Sequence, residues 1–293
     1  MPPSFDSSAT SLTKAEHPQY SESATHHSQN VKCHTGMITK CGVNGKVFLV
    51  LLVASVAATL LVLPFALALS PALASVFTPA ILLAQVVQSL ILFSVAIFVG
   101  LYLAKRVGFG VPILGGVLEG KNEVGYLRSI IGLSIGMGVL ATILIVLFSL
   151  MFFDISVAFL RVEMSIPIWK ALLACFYGGI GEEVLFRLFL MTLMVWILTF
   201  FVRTPDGRPT VSGIWLAIVL SSVVFGLGHL PITGDLVPLS PMVIARALLL
   251  NGVAGIIFGW LYQKNGLESA MISHFSCDVT LHVVVPLVAS MFM

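Results

Sequence analysis

The stretch Gly178-Gly179-Ile180-Gly181-Glu182-Glu183-Val184-Leu185-Phe186-Arg187 lies inside an apolar run that extends from residue 167 to residue 201. Such a run is long enough to cross a bilayer, whose hydrocarbon core is about 30 Å thick and needs roughly 20 helical residues. A charged side chain at the centre of a membrane helix costs roughly 2.5–3.5 kcal/mol on the most lenient scale, so ionisable groups there mark a functional site by default. Glu183 and Arg187 are four residues apart, on one helical face and in the favourable acidic-before-basic order. Glu182 points about a quarter turn away. The spacing therefore predicts an ion pair between Glu183 and Arg187, and it leaves Glu182 as the carboxylate without a local partner and the candidate general base.

Working outward, comparable apolar runs occur at 47–69, 80–103, 129–152, 213–229, 242–262 and 268–291. Together with 167–201 they predict an all-α, polytopic transmembrane helix bundle of about seven spans. The 167–201 run is too long for one simple crossing, and its three glycines predict a bend or a projection beyond the bilayer. Composition agrees: of 293 residues, 58% are hydrophobic and only 10% are charged, against about 25% charged in a soluble domain. Mean hydropathy is +1.06.

Residues 1–45 are rich in Ser, Thr, His, Gln and Asn and poor in apolar side chains. Such a segment cannot bury enough surface to offset its ordering entropy, and we read it as a disordered cytoplasmic tail. No secretory signal pattern opens the chain, so the first span is expected to act as its own insertion signal. The domain division expected is 1–45 tail, 46–165 N-terminal transmembrane helices and 166–293 catalytic core.

Lysine and arginine set orientation. Lys14, Lys32, Lys40 and Lys46 in and after the tail, Lys105, Arg106, Lys121 and Arg128 around the 104–128 loop, and Arg203 and Arg208 in the 202–212 loop fall on one side of a seven-span bundle. The loops on the other side, 70–79, 153–166 and 230–241, hold only Arg161. The N-terminus is thus expected in the cytoplasm. The net charge of +2 is spread among loops, which argues against a nucleic-acid partner. Cys33, Cys41, Cys175 and Cys277 form no CxxC pair, so neither a disulfide framework nor a zinc knuckle is indicated.

Two further constellations accompany the glutamates. Phe225-Gly226-Leu227-Gly228-His229 closes the fifth apolar run; its imidazole is a candidate metal ligand, proton shuttle or mere polar cap. His274-Phe275-Ser276-Cys277-Asp278 lies near the start of the last span, where His274 and Asp278 share a face. His282 continues that row, and no partner for it is evident in the sequence. Asp278 could orient His274, ligate a metal or hold water. Two glutamates, a histidine and a His-Asp pair on three spans supply the parts needed to activate water on a carbonyl. Topology sets a problem, because His229 falls at the outer end of its span while His274 lies only a few residues from the inner end of the last one. A shared site would then need the Pro-rich stretch 230–238 to dip into the membrane.

Glu-Glu-x-x-x-Arg, then Phe-x-x-x-His, then His-x-x-x-Asp, in this order, resembles the CPBP family of intramembrane proteases, which includes type II CAAX prenyl endopeptidases and bacteriocin-processing or immunity (Abi-like) homologues. Phe258-Gly259-Trp260-Leu261-Tyr262 and Asn265-Gly266-Leu267-Glu268-Ser269 resemble that family's approach to its last motif. The likeness covers about residues 170–285. It implies an endopeptidase acting on a membrane-anchored or lipidated peptide or protein, CAAX-type prenylated substrates among the options, in a prokaryotic plasma membrane. The implied catalytic set is Glu182 as the water-activating base, Glu183 as its neighbour, Arg187 in support, His229 and His274 binding a metal or the oxyanion, and Asp278. A zinc ion held by His229 and His274 with Glu182 is one option and a metal-free glutamate mechanism the other. Asp278 stands where the prenyl-protease branch usually has Asn, which weakens a purely hydrogen-bond-donating role there and the prenyl preference with it. A non-catalytic scaffold or immunity protein of the same fold, and an ion- or proton-coupled transporter, are the competing classes.

Overall fold

The computed structural model describes residues 42–292, so the expected tail lies almost wholly outside the described residues. These residues are helical throughout, apart from turns and one isolated bridge between Arg203 and Pro209. The chain is an integral, multi-pass membrane protein. Its elements are α1 (Gly45–Leu69), α2 (Pro71–Val76), α3 (Pro79–Val107), α4 (Pro112–Leu118), α5 (Val124–Ser149) and α6 (Phe153–Met164), the last two joined by a 3₁₀ turn. There follow α7 (Ile168–Phe176), two π-wound segments (Tyr177–Glu182 and Val184–Met191) and α8 (Thr192–Leu198). The remainder is α9 (Val211–Gly228), α10 (Leu230–Leu236), α11 (Pro241–Asn265), α12 (Leu267–Val279), a further π turn (Thr280–Val284) and α13 (Val285–Ala289).

Six of the helical runs are long and apolar enough to cross a membrane as regular helices. The run from α7 to α8 crosses the same core but is wound differently. Helix starts follow local chemistry: the Asn44 side chain accepts from the amides of Lys46 and Val47, and Thr78 and Ser240 cap helices that begin with Pro79 and Pro241. Proline suits the first helical position because its missing N–H would be unpaired there anyway.

Large apolar side chains such as Leu49, Val53, Leu83 and Ile91 are exposed, as a lipid-facing surface requires. Lipid removes the hydrophobic drive between helices, leaving close packing and interhelical hydrogen bonds, each worth about 0.6 kcal/mol and seldom above about 1.7. Both devices are visible. Gly138 lies against the Ser273 carbonyl where α5 crosses α12, with nothing close to Gly132 or Gly136. Along the same crossing Ser134 Oγ meets Ser269 Oγ at 2.8 Å and Thr142 Oγ1 donates to the Cys277 carbonyl at 3.1 Å. Thr192 Oγ1 and the Tyr262 hydroxyl are 2.9 Å apart between α8 and α11.

Side-chain and backbone contacts identify the two ends of the bundle. At one end Lys105 Nζ donates to the Gly42 carbonyl, the Tyr126 hydroxyl to the Asn265 carbonyl, and the Leu267 amide to the Gly110 carbonyl. Gly266 makes the turn between α11 and α12 there with φ +85, and a side chain at that position would overlap Pro112. At the opposite end α6 meets α11 and the last helix.

Candidate functional site

The three glycines do not break the fourth run. They lie in and beside a widened π winding, which recurs at functional sites and links residues five apart; Thr192 Oγ1 donates to the Arg187 carbonyl, five residues back, at 3.0 Å. The chain stays helical from Ile168 to Leu198, with a change of pitch over Tyr177–Met191. π winding turns less per residue than the roughly 100° of an α-helix, so neighbours diverge less. Glu182 and Glu183 accordingly both reach the same imidazole, that of His274.

His274 is the hub. Its Nδ1 lies 2.7 Å from Glu183 Oε1, which fixes Nδ1–H as donor to that carboxylate. Its Nε2 lies 3.5 Å from Asp278 Oδ1 and 3.7 Å from Glu182 Oε2. Polar groups separated by more than 3.5 Å are commonly bridged by water, and this spacing suits a water or substrate oxygen held among the three. The imidazole is stacked on Phe258, with centroids 4.4 Å apart and planes at 22°.

Glu183 is wholly buried and Arg187 nearly so, 3.2 Å apart as the spacing predicted. The contact is an ion pair by distance but not an aligned hydrogen bond, since Arg187 Nη1 and Glu183 Oε2 find no hydrogen-bond partner. Arg187 also donates through Nη2 to the Gly255 carbonyl at 3.4 Å, and its guanidinium packs over the Phe225 and Phe258 rings. Two aromatic faces therefore share the cation with Glu183. Glu182, by contrast, keeps 18% of its side-chain surface exposed and Asp278 15%.

His229 enters from α9. Its Nδ1 is 2.9 Å from the Phe225 carbonyl, and the Phe225 ring packs edge-on against both His229 and His274, at 4.7 and 5.7 Å. The two histidines thus flank one aromatic ring. The stretch after His229 is helical over Leu230–Leu236 as α10.

Both Nδ1 atoms are already engaged. Among the described residues no three His, Cys, Asp or Glu side chains are placed to hold a metal ion. In each ring the Nε2 is left free, and the chemistry below uses only the chain's own groups.

Three further residues were given no partner by the sequence. Gly178 sits against the last helix, where a Cβ would overlap the Asp278 carboxylate and approach His274 Nε2 to 3.1 Å. Glu268, quoted only as part of a motif, accepts from the Leu114 amide at 2.8 Å and anchors α4. His282, for which the sequence offered no partner, has one: its Nδ1 is 3.1 Å from Glu163 Oε1. A separation of 119 residues hid that pair. Gly178→Ala is expected to push Asp278 and His274 apart and lower kcat by roughly a hundredfold, the scale of a 1 Å misplacement. Turnover of a membrane-anchored reporter peptide checks this, and wild-type turnover would contradict the close-approach role.

The family model described as type II CAAX prenyl endopeptidase Rce1-like matches residues 164–280. No curated protein and no solved structure matches the chain. The matched segment runs from the last residue of α6 to the start of the final π turn and contains every residue of the cluster around His274, so the domain at 164–280 belongs to the Rce1-like members of the CPBP membrane-protease family.

Proposed function

We propose that the chain is an intramembrane endopeptidase in which Glu182 activates water against the carbonyl of a membrane-anchored or lipidated peptide. The observation that carries this reading is the unequal environment of the adjacent glutamates: Glu183 is sealed between Arg187 and His274, whereas Glu182 keeps 18% of its side chain exposed, 3.7 Å from His274 Nε2. Water held between Glu182 and His274 gives a proton to Glu182 as its oxygen bonds to the scissile carbonyl carbon. Each Nδ1–H is already given to Glu183 or to the Phe225 carbonyl, so the oxyanion is met by the second N–H, at Nε2, that the ring of His274 or of His229 carries when doubly protonated. When the C–N bond breaks, Glu182 returns the proton to the departing nitrogen. Glu183 does not touch the reacting atoms; it holds the His274 tautomer. Asp278, on the other side of Nε2, keeps that nitrogen hydrated and oriented.

The test is cleavage of a membrane-anchored reporter peptide in proteoliposomes. His274→Ala is expected to lose about 10²–10⁴ in kcat, the range for a positioned acid–base group, while inserting normally. Full cleavage by the variant would exclude the mechanism. Proton flux from a wild type that cleaves nothing would favour the transporter class.

A further inference from the structure

Helix α3 carries a primary amide on the side it turns away from the bundle. Its buried residues, Phe93, Ile97, Gly100 and Ala104 among them, form one stripe. Gln88 precedes Phe93 by five residues and so points about 140° away from it, at roughly 100° per residue, and it is exposed. Around it on the same face Leu83, Val87, Ile91 and Val95 are 65%, 48%, 63% and 55% exposed. Large apolar side chains in that number on a helix of membrane-crossing length and hydropathy make the surroundings lipid rather than water. From Pro79 to Ala104 the helix holds no charged residue, and Gln88 stands about 5 Å from the middle of that stretch, at 1.5 Å per residue.

A carboxamide brings two N–H donors and a carbonyl acceptor into the hydrocarbon. Among the described residues none of them is hydrogen-bonded, whereas the adjacent Ser89, on the buried side, donates to the Gln85 carbonyl at 2.7 Å. Lipid offers no partner, and an unsatisfied amide in an apolar medium is costly. α1, the second π segment and α8 pack on α3 from its buried side, so the partner has to come from a helix outside this bundle. The face has room for one. Ala80 and Ala84, two turns and one turn before Gln88, open a shallow hollow of about 830 Å³ lined by α3 alone, and small residues let helix axes approach closely.

We propose that two copies of this chain associate in the membrane through α3, with Gln88 of one against Gln88 of the other. An amide both donates and accepts, so it is complementary to a second copy of itself, and no charged side chain lines the hollow to call for an oppositely charged partner. Two copies inserted with the same orientation meet about a twofold axis along the membrane normal, which puts both Gln88 side chains at one depth. Each then gives an N–H to the other's carbonyl, while Leu83, Val87 and Ile91 pack across the hollows. The contact uses none of the residues around His274 and stands apart from the protease reading.

Single-molecule photobleaching of the labelled full chain in liposomes, at falling protein-to-lipid ratio, reads the dimer directly. Wild type is expected to pair, and Gln88→Leu to raise the dimer dissociation constant roughly tenfold, the scale of one interhelical hydrogen bond in model peptides. Cross-linking supplies a second measurement that keeps Gln88 in place and so survives any failure of that variant to accumulate. With Cys33 and Cys41 changed to serine and the buried Cys175 and Cys277 left, Ile91→Cys is expected to give a disulfide-linked dimer in membranes on mild oxidation. Leu147→Cys on α5, 56% exposed, is expected to give none. Monomers at every ratio, a dissociation constant unchanged by Gln88→Leu, or cross-linking through Leu147→Cys as readily as through Ile91→Cys overturns the proposal.

Discussion

Glu182→Gln is expected to abolish cleavage, with kcat reduced by about 10²–10⁴, while melting temperature and membrane insertion stay at wild-type values. Glutamine keeps the size and polarity of the side chain but cannot take a proton from water. Stability should hold because Glu182 is partly exposed and His274 Nε2 is 3.7 Å away, too far for a direct hydrogen bond. Single-turnover cleavage of the reporter peptide, with thermal unfolding of the same detergent-solubilised sample, reads the two quantities separately. A variant that loses stability in step with activity would place Glu182 among the structural residues. A variant that cleaves normally would remove it from the mechanism.

Arg187→Leu is expected to do the reverse, destabilising the fold first. Removing one partner of a buried ion pair costs about 3–5 kcal/mol, because the other charge is left uncompensated. Here that charge is Glu183, fully buried, with one oxygen already without a partner. Expression and chemical unfolding should both fall sharply. The double variant Arg187→Leu with Glu183→Gln removes the stranded charge and should recover much of the stability, since apolar or neutral replacements of buried pairs are often tolerated. Activity should not recover in parallel, because the Glu183→Gln change leaves His274 Nδ1 facing a neutral amide in place of a carboxylate. Recovery of both would show that Glu183 has no part in setting the His274 tautomer. Unchanged stability in the single variant would mean that the aromatic faces of Phe225 and Phe258 are not supporting a paired cation.

The pairing of Glu183 with Arg187 was legible because it is local: four residues of helix bring the two groups together even where the winding widens. The contact of both glutamates with His274 was not, since it depends on π pitch over Tyr177–Met191 and on a helix 91 residues further along. The Gly178-Gly179-Ile180-Gly181 cluster was conspicuous and read as an interruption. Its physical role is close approach, with Gly178 making room for Asp278 and His274.

Apolar runs of bilayer length, separated by polar loops, determined by themselves that the chain is a helical membrane bundle, because lipid leaves the backbone no other way to satisfy its hydrogen bonds. Motif order likewise determined which side chains to suspect. Only the tertiary structure decided which glutamate is buried and which is partly exposed, and that Glu163 partners His282. Those outcomes depend on how separate helices cross, and close packing between helices leaves little periodic trace in a sequence whose lipid-facing and protein-facing residues are equally apolar.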